Sequence, residues 1–364
     1  MYNYEEEGTI LDSQRVTASL MSWYSSHFRP LPWRLDPTPY HVWISEIMLQ
    51  QTRIEAVLPY YRRFISELPT VAELAVVPQE KLLKLWEGLG YYSRARNLQK
   101  AAQVIMDRYN GELPADYEAL LSLPGIGPYT AGAIASIAYS VSVPAVDGNV
   151  MRVLARLTGD STDVLSTAGK KRFTDLAWQM VPEQDSGRFN QAIMELGERI
   201  CLPNGTPLCD ACPLQSECSA FAQGKATKLP VRIKKVKRRR EKRHVVVVRI
   251  EGQPPAVLLH KRPDSGLLAG LWELPNTLES DALLALPKSI CDDCRKIEDL
   301  PECKHVFSHV EWQMTGTVYH LPKVKELPPE YHAVTLDDLR RHYPLPSAFR
   351  YFAEQLPRIL NEEN

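Results

Sequence analysis

The chain has almost no net charge, no apolar stretch of membrane length and no internal repeat. Its 43 Lys and Arg are balanced by 44 Asp and Glu, a formal net charge of −1, so bulk charge gives no sign of a polyanionic partner. The most apolar segment, Ala131 to Val146, is broken by serines and a proline. It is shorter than the roughly 20 residues a bilayer span needs and reads as a buried core helix and its exit. The first residues, Met-Tyr-Asn-Tyr-Glu5-Glu-Glu7, are acidic and lead into no apolar run, so no secretory signal is expected and a cytoplasmic location is. Seven cysteines in a reducing compartment are then metal ligands or buried thiols rather than disulfides.

At 364 residues the chain exceeds one ordinary core and suggests two domains. The net charge hides a local excess. Between Lys225 and Arg243 stand eleven Lys or Arg against Glu241, while acidic ends at Glu5 to Glu7 and Glu362 to Glu363 cancel the sum without screening the run beyond a Debye length of about 8 Å. The run is a solvated linker or a DNA contact. Two composition regimes meet there. Upstream, Thr70-x-x-Glu73 makes a capping box, Pro78 suits a helix start, and Lys81 to Trp86 and Leu98 to Met106 carry apolar residues at helical spacing. Downstream, His244 to Ile250, Ala256 to His260 and His305 to His320 read as strands, followed by helices from Thr335 and over Ser347 to Ile359. The expected architecture is multidomain: an all-α domain over 9–224, a basic linker over 225–243 and an α+β domain over 244–360.

Three local patterns carry chemistry. Leu120, Leu121 and Leu123 end one helix, Pro124-Gly125-Ile-Gly127 turns the chain, and Thr130 starts another. Backbone N–H groups and the helix dipole at such a turn favour a phosphate, though a plain helix connector has the same outline. Two carboxyls sit in contrasting settings. Glu46 lies in an apolar run, where desolvation raises its pKa and keeps it protonated as a general acid. Asp147 precedes a helix over Asn149 to Leu157, where the dipole and N–H groups keep it charged, as any N-cap would be. Carboxyls in such contrasting settings can divide the work, one giving a proton and the other standing as a fixed anion. Finally, Cys201-x7-Cys209-x2-Cys212-x5-Cys218 gathers four thiols within eighteen residues, suited by spacing to zinc or to an iron–sulfur cluster.

The hairpin, the Asp some twenty residues later and the trailing cysteine loop resemble the helix-hairpin-helix DNA glycosylases related to endonuclease III, over most of residues 10 to 220. Members that also cut the backbone place a Schiff-base lysine in the hairpin. This sequence has Tyr129 there, and a phenol cannot form an imine, so the chemistry stops at base removal. Tyr129, Leu31-Pro-Trp33-Arg34, Trp43-Ile-Ser-Glu46-Ile-Met-Leu-Gln-Gln51-Thr52 and Gly88-Leu89-Gly-Tyr91-Tyr-Ser93 resemble the adenine DNA glycosylases, which remove adenine paired with 8-oxoguanine. The resemblance implies Glu46 as the acid at adenine N7, Asp147 as the group stabilising the cation, and Tyr129 and Asn149 in support, with water attacking C1′ with retention. It also implies Trp33, Arg34 and Gln191 around the extruded adenine, Leu89 and Tyr91 as wedges filling the gap in the stack, Gln51 and Thr52 facing the opposite base, and Gly125 and Gly127 on a phosphate. Read without the resemblance, Trp33 and Tyr91 are core aromatics and Gln51 a solvent-facing helix residue, and for Trp33 core and base contact are equal readings.

Within that family the cysteines Cys201, Cys209, Cys212 and Cys218 hold a structural [4Fe–4S] cluster. The usual spacing is C-x6-C-x2-C-x5-C, and the one extra residue here fits a turn around Pro203 to Pro207. Cys291, Cys294 and Cys303, with His305 nearby, form a second set left open between zinc and buried thiols. The second domain resembles the Nudix fold. Gly270-Leu-Trp-Glu273-Leu-Pro275 matches the start of the hydrolase box, but Asn276 to Asp281 lacks the Arg-Glu and paired glutamates that hold magnesium, so hydrolysis is not expected. Phe307, Ser308 and His309 match the family's 8-oxoguanine contact. The expected protein is a monomeric, nucleoid-associated bacterial glycosylase acting on A:8-oxoG and A:G mispairs in duplex DNA. A bifunctional glycosylase-lyase for oxidised pyrimidines and a non-enzymatic redox-sensing DNA-binding protein are the alternatives.

Overall fold

A computed structural model of the chain describes residues 12–233, 238–278 and 285–360. The acidic ends Glu5 to Glu7 and Glu362 to Glu363, residues 234–237 of the basic run and residues 279–281 of the Nudix-like segment lie outside the described residues. The fold divides into two units. One comprises Met1–Val76 and Asn97–Lys234, the other Val77–Arg96 and Lys235–Asn364. The second unit therefore takes a stretch of the helical half, Val77–Arg96, as well as the strand-rich half.

In the first unit the helices are α1 (Ser13–His27), α2 (Pro32–Leu35), α3 (Pro39–Leu49), α4 (Ile54–Glu67) and α5 (Val71–Val76). After α6 (Gln79–Leu85), which belongs to the second unit, and α7 (Ser93–Arg108), which enters the first unit at Asn97, follow α8 (Tyr117–Leu121), α9 (Pro128–Tyr139), α10 (Gly148–Thr158), α11 (Thr167–Met180), α12 (Ser186–Arg199) and α13 (Ser219–Ala222). Their starts follow from local chemistry. The capping box at α5 forms, with the Thr70 N–H donating to Glu73 at 3.0 Å and the Glu73 N–H donating to the Thr70 hydroxyl at 3.3 Å. Thr38 caps α3 ahead of Pro39, and Pro128 opens α9 behind Gly127. The core of α1, α10, α11 and α12 packs Leu20, Tyr24, Leu154, Phe173, Phe189 and Leu196, all buried. α9 and the face of α3 behind the site are buried nearly throughout, as the run Ala131 to Val146 predicts up to Tyr139. Among the described residues no helix is long and apolar enough to cross a membrane.

The second unit is built on a seven-stranded sheet of order β3-β2-β1-β6-β5, with β4 beside β1 and β7 beside β2. The strands are β1 (Arg239–Ile250), β2 (Ala256–Lys261), β3 (Trp272–Glu273), β4 (Asn276–Thr277), β5 (Arg295–Val306), β6 (Val310–Leu321) and β7 (Tyr331–Thr335). β1 runs parallel to β6, Val247 opposite Val318, and the other pairs are antiparallel. Val245 and Val247 belong to one core and Val246 and Val248 to the other, so the sheet is covered on both faces. That is why the sequence shows four consecutive valines rather than an alternation. Two expectations change. The stretch His305 to His320 is two strands joined by a turn at residues 307–309, and Thr335 ends a strand and caps the helix Leu336–Arg341.

Candidate active site

In the first unit α2, α3, α9, α12 and the start of α10 surround a cavity of about 250 Å³. Trp33, Arg34, Glu46, Thr52, Tyr129, Asp147, Asn149 and Gln191, eight of the residues singled out from sequence, line it together. Glu46 comes from the buried side of α3 and is 5% exposed. The Tyr129 hydroxyl, from the first turn of α9, donates to its carboxyl and also reaches the Met194 sulfur at 3.4 Å. Asp147 caps α10, accepting from the backbone N–H groups of Asn149 and Val150 at 2.8 Å each and from the Asn149 amide at 2.8 Å. Trp33 is both core and wall: 4% exposed, it packs edge-on against Tyr61 with ring centroids 5.0 Å apart while facing the cavity. Gln191 is held by the Tyr24 hydroxyl, which donates to its Oε1 at 2.8 Å.

The electrostatics raise both carboxyls, which is not what the cap on Asp147 alone implies. Burial pushes Glu46 up to about 7, against the Tyr129 hydrogen bond and the Arg34 charge, which pull it down. Burial also raises Asp147; the two backbone N–H groups, Arg152 and the Asn149 amide oppose the rise without cancelling it. The expectation that dipole and cap bonds set Asp147's acidity is thus corrected: desolvation is the larger effect, since Asp147 sits inside the cavity wall rather than on an exposed helix end. Burial and both carboxylates hold the Tyr129 phenol well above its usual range, so it stays a neutral donor.

Sequence reasoning passed over four contributors. Arg152, buried on α10, donates to the Asn149 side-chain oxygen and the Gly197 carbonyl at 2.7 Å and to the Cys201 carbonyl at 2.7 Å. Glu195 on α12 is 1% exposed and binds Arg34 and Arg29. Tyr24 and Met194 orient Gln191 and Tyr129. The signal for Glu195 was in the chain: it falls between Ala192, Ile193 and Leu196, on the buried stripe of an amphipathic helix, where an isolated charge needs a reason.

Cys201, Cys209, Cys212 and Cys218 wall a single small cavity with Arg156 beside them, whose Nη1 donates to the Cys201 sulfur at 3.2 Å. Burial pushes the Cys212 thiol up to about 12 and also raises Cys209 and Cys218, so thiolates at these three positions require cationic charge beside them. The donor set fits a thiolate-bound metal centre. Among the described residues no group of three or more His, Cys, Asp or Glu converges as a single-ion site, Cys291, Cys294 and Cys303 included.

The hairpin divides its work between two glycines. Gly125 takes φ +77° and a Cβ there would meet the Asn97 Cβ at 2.6 Å, whereas Gly127 has φ −96° and open space around it, leaving the start of α9 free to be approached. Gln51, exposed with φ +60°, stands outside the 250 Å³ cavity. In the second unit Leu89, Tyr91, Phe307, Ser308 and His309 line a separate cavity of about 650 Å³. Leu89 is 6% exposed and Tyr91 47%, so Tyr91 and not Leu89 is the side chain this loop presents. The loop is pinned by Arg94, donating to the Leu89 and Gly90 carbonyls at 3.0 and 3.2 Å, and Tyr91 and Ser308 share a hydroxyl hydrogen bond of 2.8 Å. Phe307 leans edge-on against Trp312, 4.8 Å between centroids.

Comparison with known proteins bears on this arrangement. Residues 44–182 match the HhH-GPD superfamily of base excision DNA repair proteins, and residues 244–355 match a NUDIX domain. The adenine DNA glycosylase of Mus musculus is 38% identical over 370 residues, covering 86% of this chain and 71% of the mouse protein. The chain belongs to the adenine DNA glycosylase family. The adenine DNA glycosylase of Buchnera aphidicola subsp. Acyrthosiphon pisum (strain APS), 32% identical, aligns over 93% of this chain and 97% of its own length, so the match to adenine DNA glycosylases extends across both units. Among solved structures, a thermostable thymine-DNA glycosylase superposes with a TM-score of 0.53 at 27% identity, covering 58% of this chain and 97% of its own. A non-covalent endonuclease III–DNA complex gives 0.50 at 26% identity, covering 59% and 99%. Adenine DNA glycosylases are N-glycosidic bond hydrolases, and the chain is an enzyme of that class.

Proposed function

We propose that this chain is a monofunctional adenine DNA glycosylase that flips adenine out of A:8-oxoG and A:G mispairs in duplex DNA and hydrolyses its glycosidic bond, initiating base excision repair. The observation that carries the reading is that Glu46 and Asp147 share one cavity, the first raised to about 7 and bonded to a phenol that stays neutral, the second ringed by backbone N–H donors. Glu46, protonated, gives its proton to N7 of the flipped base. The departing purine leaves positive charge at C1′, which Asp147 faces and Tyr129 and Asn149 help to stabilise. Trp33, Arg34 and Gln191 enclose the adenine. Flipping costs a few kcal/mol, least for a mispaired base, which is part of the selectivity.

Tyr91 enters the stack, Gln51 and Thr52 face the opposite base, and the open start of α9 at Gly127 takes a phosphate. Phe307, Ser308 and His309 read 8-oxoguanine. The four cysteines hold a [4Fe–4S] cluster, which keeps the loop at 201–218 in shape beside DNA and takes no part in a redox-neutral hydrolysis. The functional domains run 9–224 and 244–360; of the basic run 225–243 between them, the residues before β1, which begins at Arg239, serve as the linker, and the protein works as a monomer in the cytoplasm, at the nucleoid.

Single-turnover excision on an A:8-oxoG duplex, read as alkali-sensitive cleavage, tests the reading. Wild type is expected to release adenine and leave an intact backbone before alkali; Glu46→Gln is expected to bind the duplex without excision. Excision retained in Glu46→Gln, or a covalent adduct trapped by borohydride, overturns it. Iron and sulfide analysis of the purified protein checks the cluster, and zinc in its place overturns that part alone.

A further inference from the structure

Glu195 is a carboxylate in a place that penalises one. It sits on α12 at 1% exposure, between Ile193 and Leu196, and no step of the proposed excision uses it. Its partners are three arginines. Arg34 Nη2 donates to Oε2 at 2.8 Å, Arg29 Nη2 to the same oxygen at 3.0 Å, Arg29 Nε lies 2.5 Å from Oε1 and Arg199 Nη1 lies 3.6 Å from it. Glu198, at the cavity rim, binds Arg29 at 2.5 Å. Three buried atoms of the cluster make no hydrogen bond: Arg29 Nε and Glu195 Oε1, which lie 2.5 Å apart as an ion pair, and Arg34 Nη1, on a side chain that lines the cavity together with Glu46 and Glu195. A buried guanidinium N–H left unpaired costs free energy unless a ligand completes it.

We propose that Glu195 is a positioning residue of the active site: it clamps Arg34 so that one guanidinium N–H stays available to the extruded base, and it balances the arginine charge beside Glu46. The inference rests on the reading of Glu46 as the acid. Adenine offers several ring nitrogens as acceptors; when N7 takes the proton from Glu46, another is left for a donor, and of the side chains that line the cavity Arg34 supplies, at Nη1, the buried donor without a hydrogen bond. The charge argument has a definite sign. The groups around Glu46 are Arg34 from α2, Arg53 beyond α3, Tyr129 from α9, Asp147 at the start of α10 and Glu195 and Glu198 from α12. Arg34 pulls Glu46 towards its charged form. With Glu195 neutralised, that pull is no longer offset from the far side of the guanidinium, and Glu46 loses its proton at lower pH. The residues facing Glu195 itself are Tyr24, Arg29, Arg34, Arg199 and Glu198.

The experiment is single-turnover excision across pH on an A:8-oxoG duplex, with wild type, Glu195→Gln, Glu195→Asp and Arg34→Met. Glu195→Gln is expected to slow excision at pH 7.5 about tenfold and to move the alkaline limb of the profile to lower pH by roughly half a unit to one unit. Glu195→Asp keeps the charge and is expected to leave the limb where wild type has it, with only the amplitude reduced. Arg34→Met is expected to move the limb to higher pH. A Glu195→Gln limb superimposed on wild type, or a Glu195→Asp limb displaced as far as that of Glu195→Gln, overturns the proposal. Should Glu195→Gln fail to fold, as judged by thermal melting, Arg34→Met decides, and an unmoved limb there overturns it. Glu46→Gln separates this from the parent reading: excision surviving in that variant removes Glu46 as the acid, whereas excision lost there with no limb shift at Glu195 removes only the role given to Glu195.

Discussion

Arg152 Nη2 donates to the Asn149 side-chain oxygen at 2.7 Å while its Nε donates to the Cys201 carbonyl at 2.7 Å, so one buried guanidinium ties the cavity wall to the first residue of the cysteine loop. The Asn149 amide in turn donates to Asp147, which places Arg152 two hydrogen bonds from the carboxylate assigned to the sugar cation. Arg152→Gln keeps polarity but cannot span both partners. The variant is expected to lose about 2–4 kcal/mol of stability, because carbonyls at Gly197 and Cys201 are left without donors, and to excise at least tenfold more slowly. Denaturant unfolding and single-turnover rates check the two parts. Normal excision at reduced stability would detach Arg152 from the chemistry.

Glu46 links activity and stability through the same proton. Its pKa rises on folding from 4.5 to about 7, so the folded state binds the proton more tightly than the unfolded chain. The stability this confers is complete below about 4.5 and is lost as pH climbs to 7; above that, the buried charge is a net cost of roughly 3 kcal/mol. Glu46→Gln removes the titration. It is expected to melt above wild type at pH 8 and close to it near pH 5, by calorimetry, while excision by wild type falls as pH rises through about 7.

Where the sequence was informative, a single physical constraint acted locally. The capping box at Thr70 and Glu73, the turn at Gly125 and the apolar surroundings of Glu46 each stand on residues within a few positions of one another. What it did not disclose came from long-range pairing. β7 and the first half of β5 lack strong alternation and are strands because β2 and β6 offer them backbone partners. Asp147 reads as an exposed cap until packing closes the cavity over it, and desolvation then outweighs the cap bonds. Leu89 and Tyr91 are equal candidates for a wedge in the sequence; only packing turns the leucine inward.

Tyr129 offers a test of direction. Its hydroxyl donates to Glu46 and thereby favours the charged carboxylate, against desolvation. Tyr129→Phe deletes that donor, so Glu46 should hold its proton to higher pH and the alkaline limb of the excision profile should move up, even as the maximal rate falls through lost support of the cation. The phenol itself does not titrate in the range, since burial and two carboxylates hold it well above its ordinary value. An alkaline limb that drops in Tyr129→Phe would show that the hydroxyl acts on Glu46 in the opposite sense.

The two hairpin glycines should fail differently when given a side chain. At Gly125, φ +77° and the Asn97 Cβ at 2.6 Å make any Cβ a clash as well as a strained backbone, and Gly125→Ala is expected to lose about 1–3 kcal/mol of stability. At Gly127 the backbone is ordinary, φ −96°, and a Cβ meets nothing within 4 Å, so Gly127→Ala should fold with stability within about 0.5 kcal/mol of wild type. The space that tolerates the methyl is the space proposed for a phosphate at the start of α9, and a methyl there holds the phosphate off the N–H groups. Duplex affinity of Gly127→Ala should therefore fall several-fold at unchanged melting temperature, measured by fluorescence anisotropy at fixed salt because phosphate contacts are salt-dependent. Unchanged affinity in Gly127→Ala would return the hairpin to the role of a helix connector.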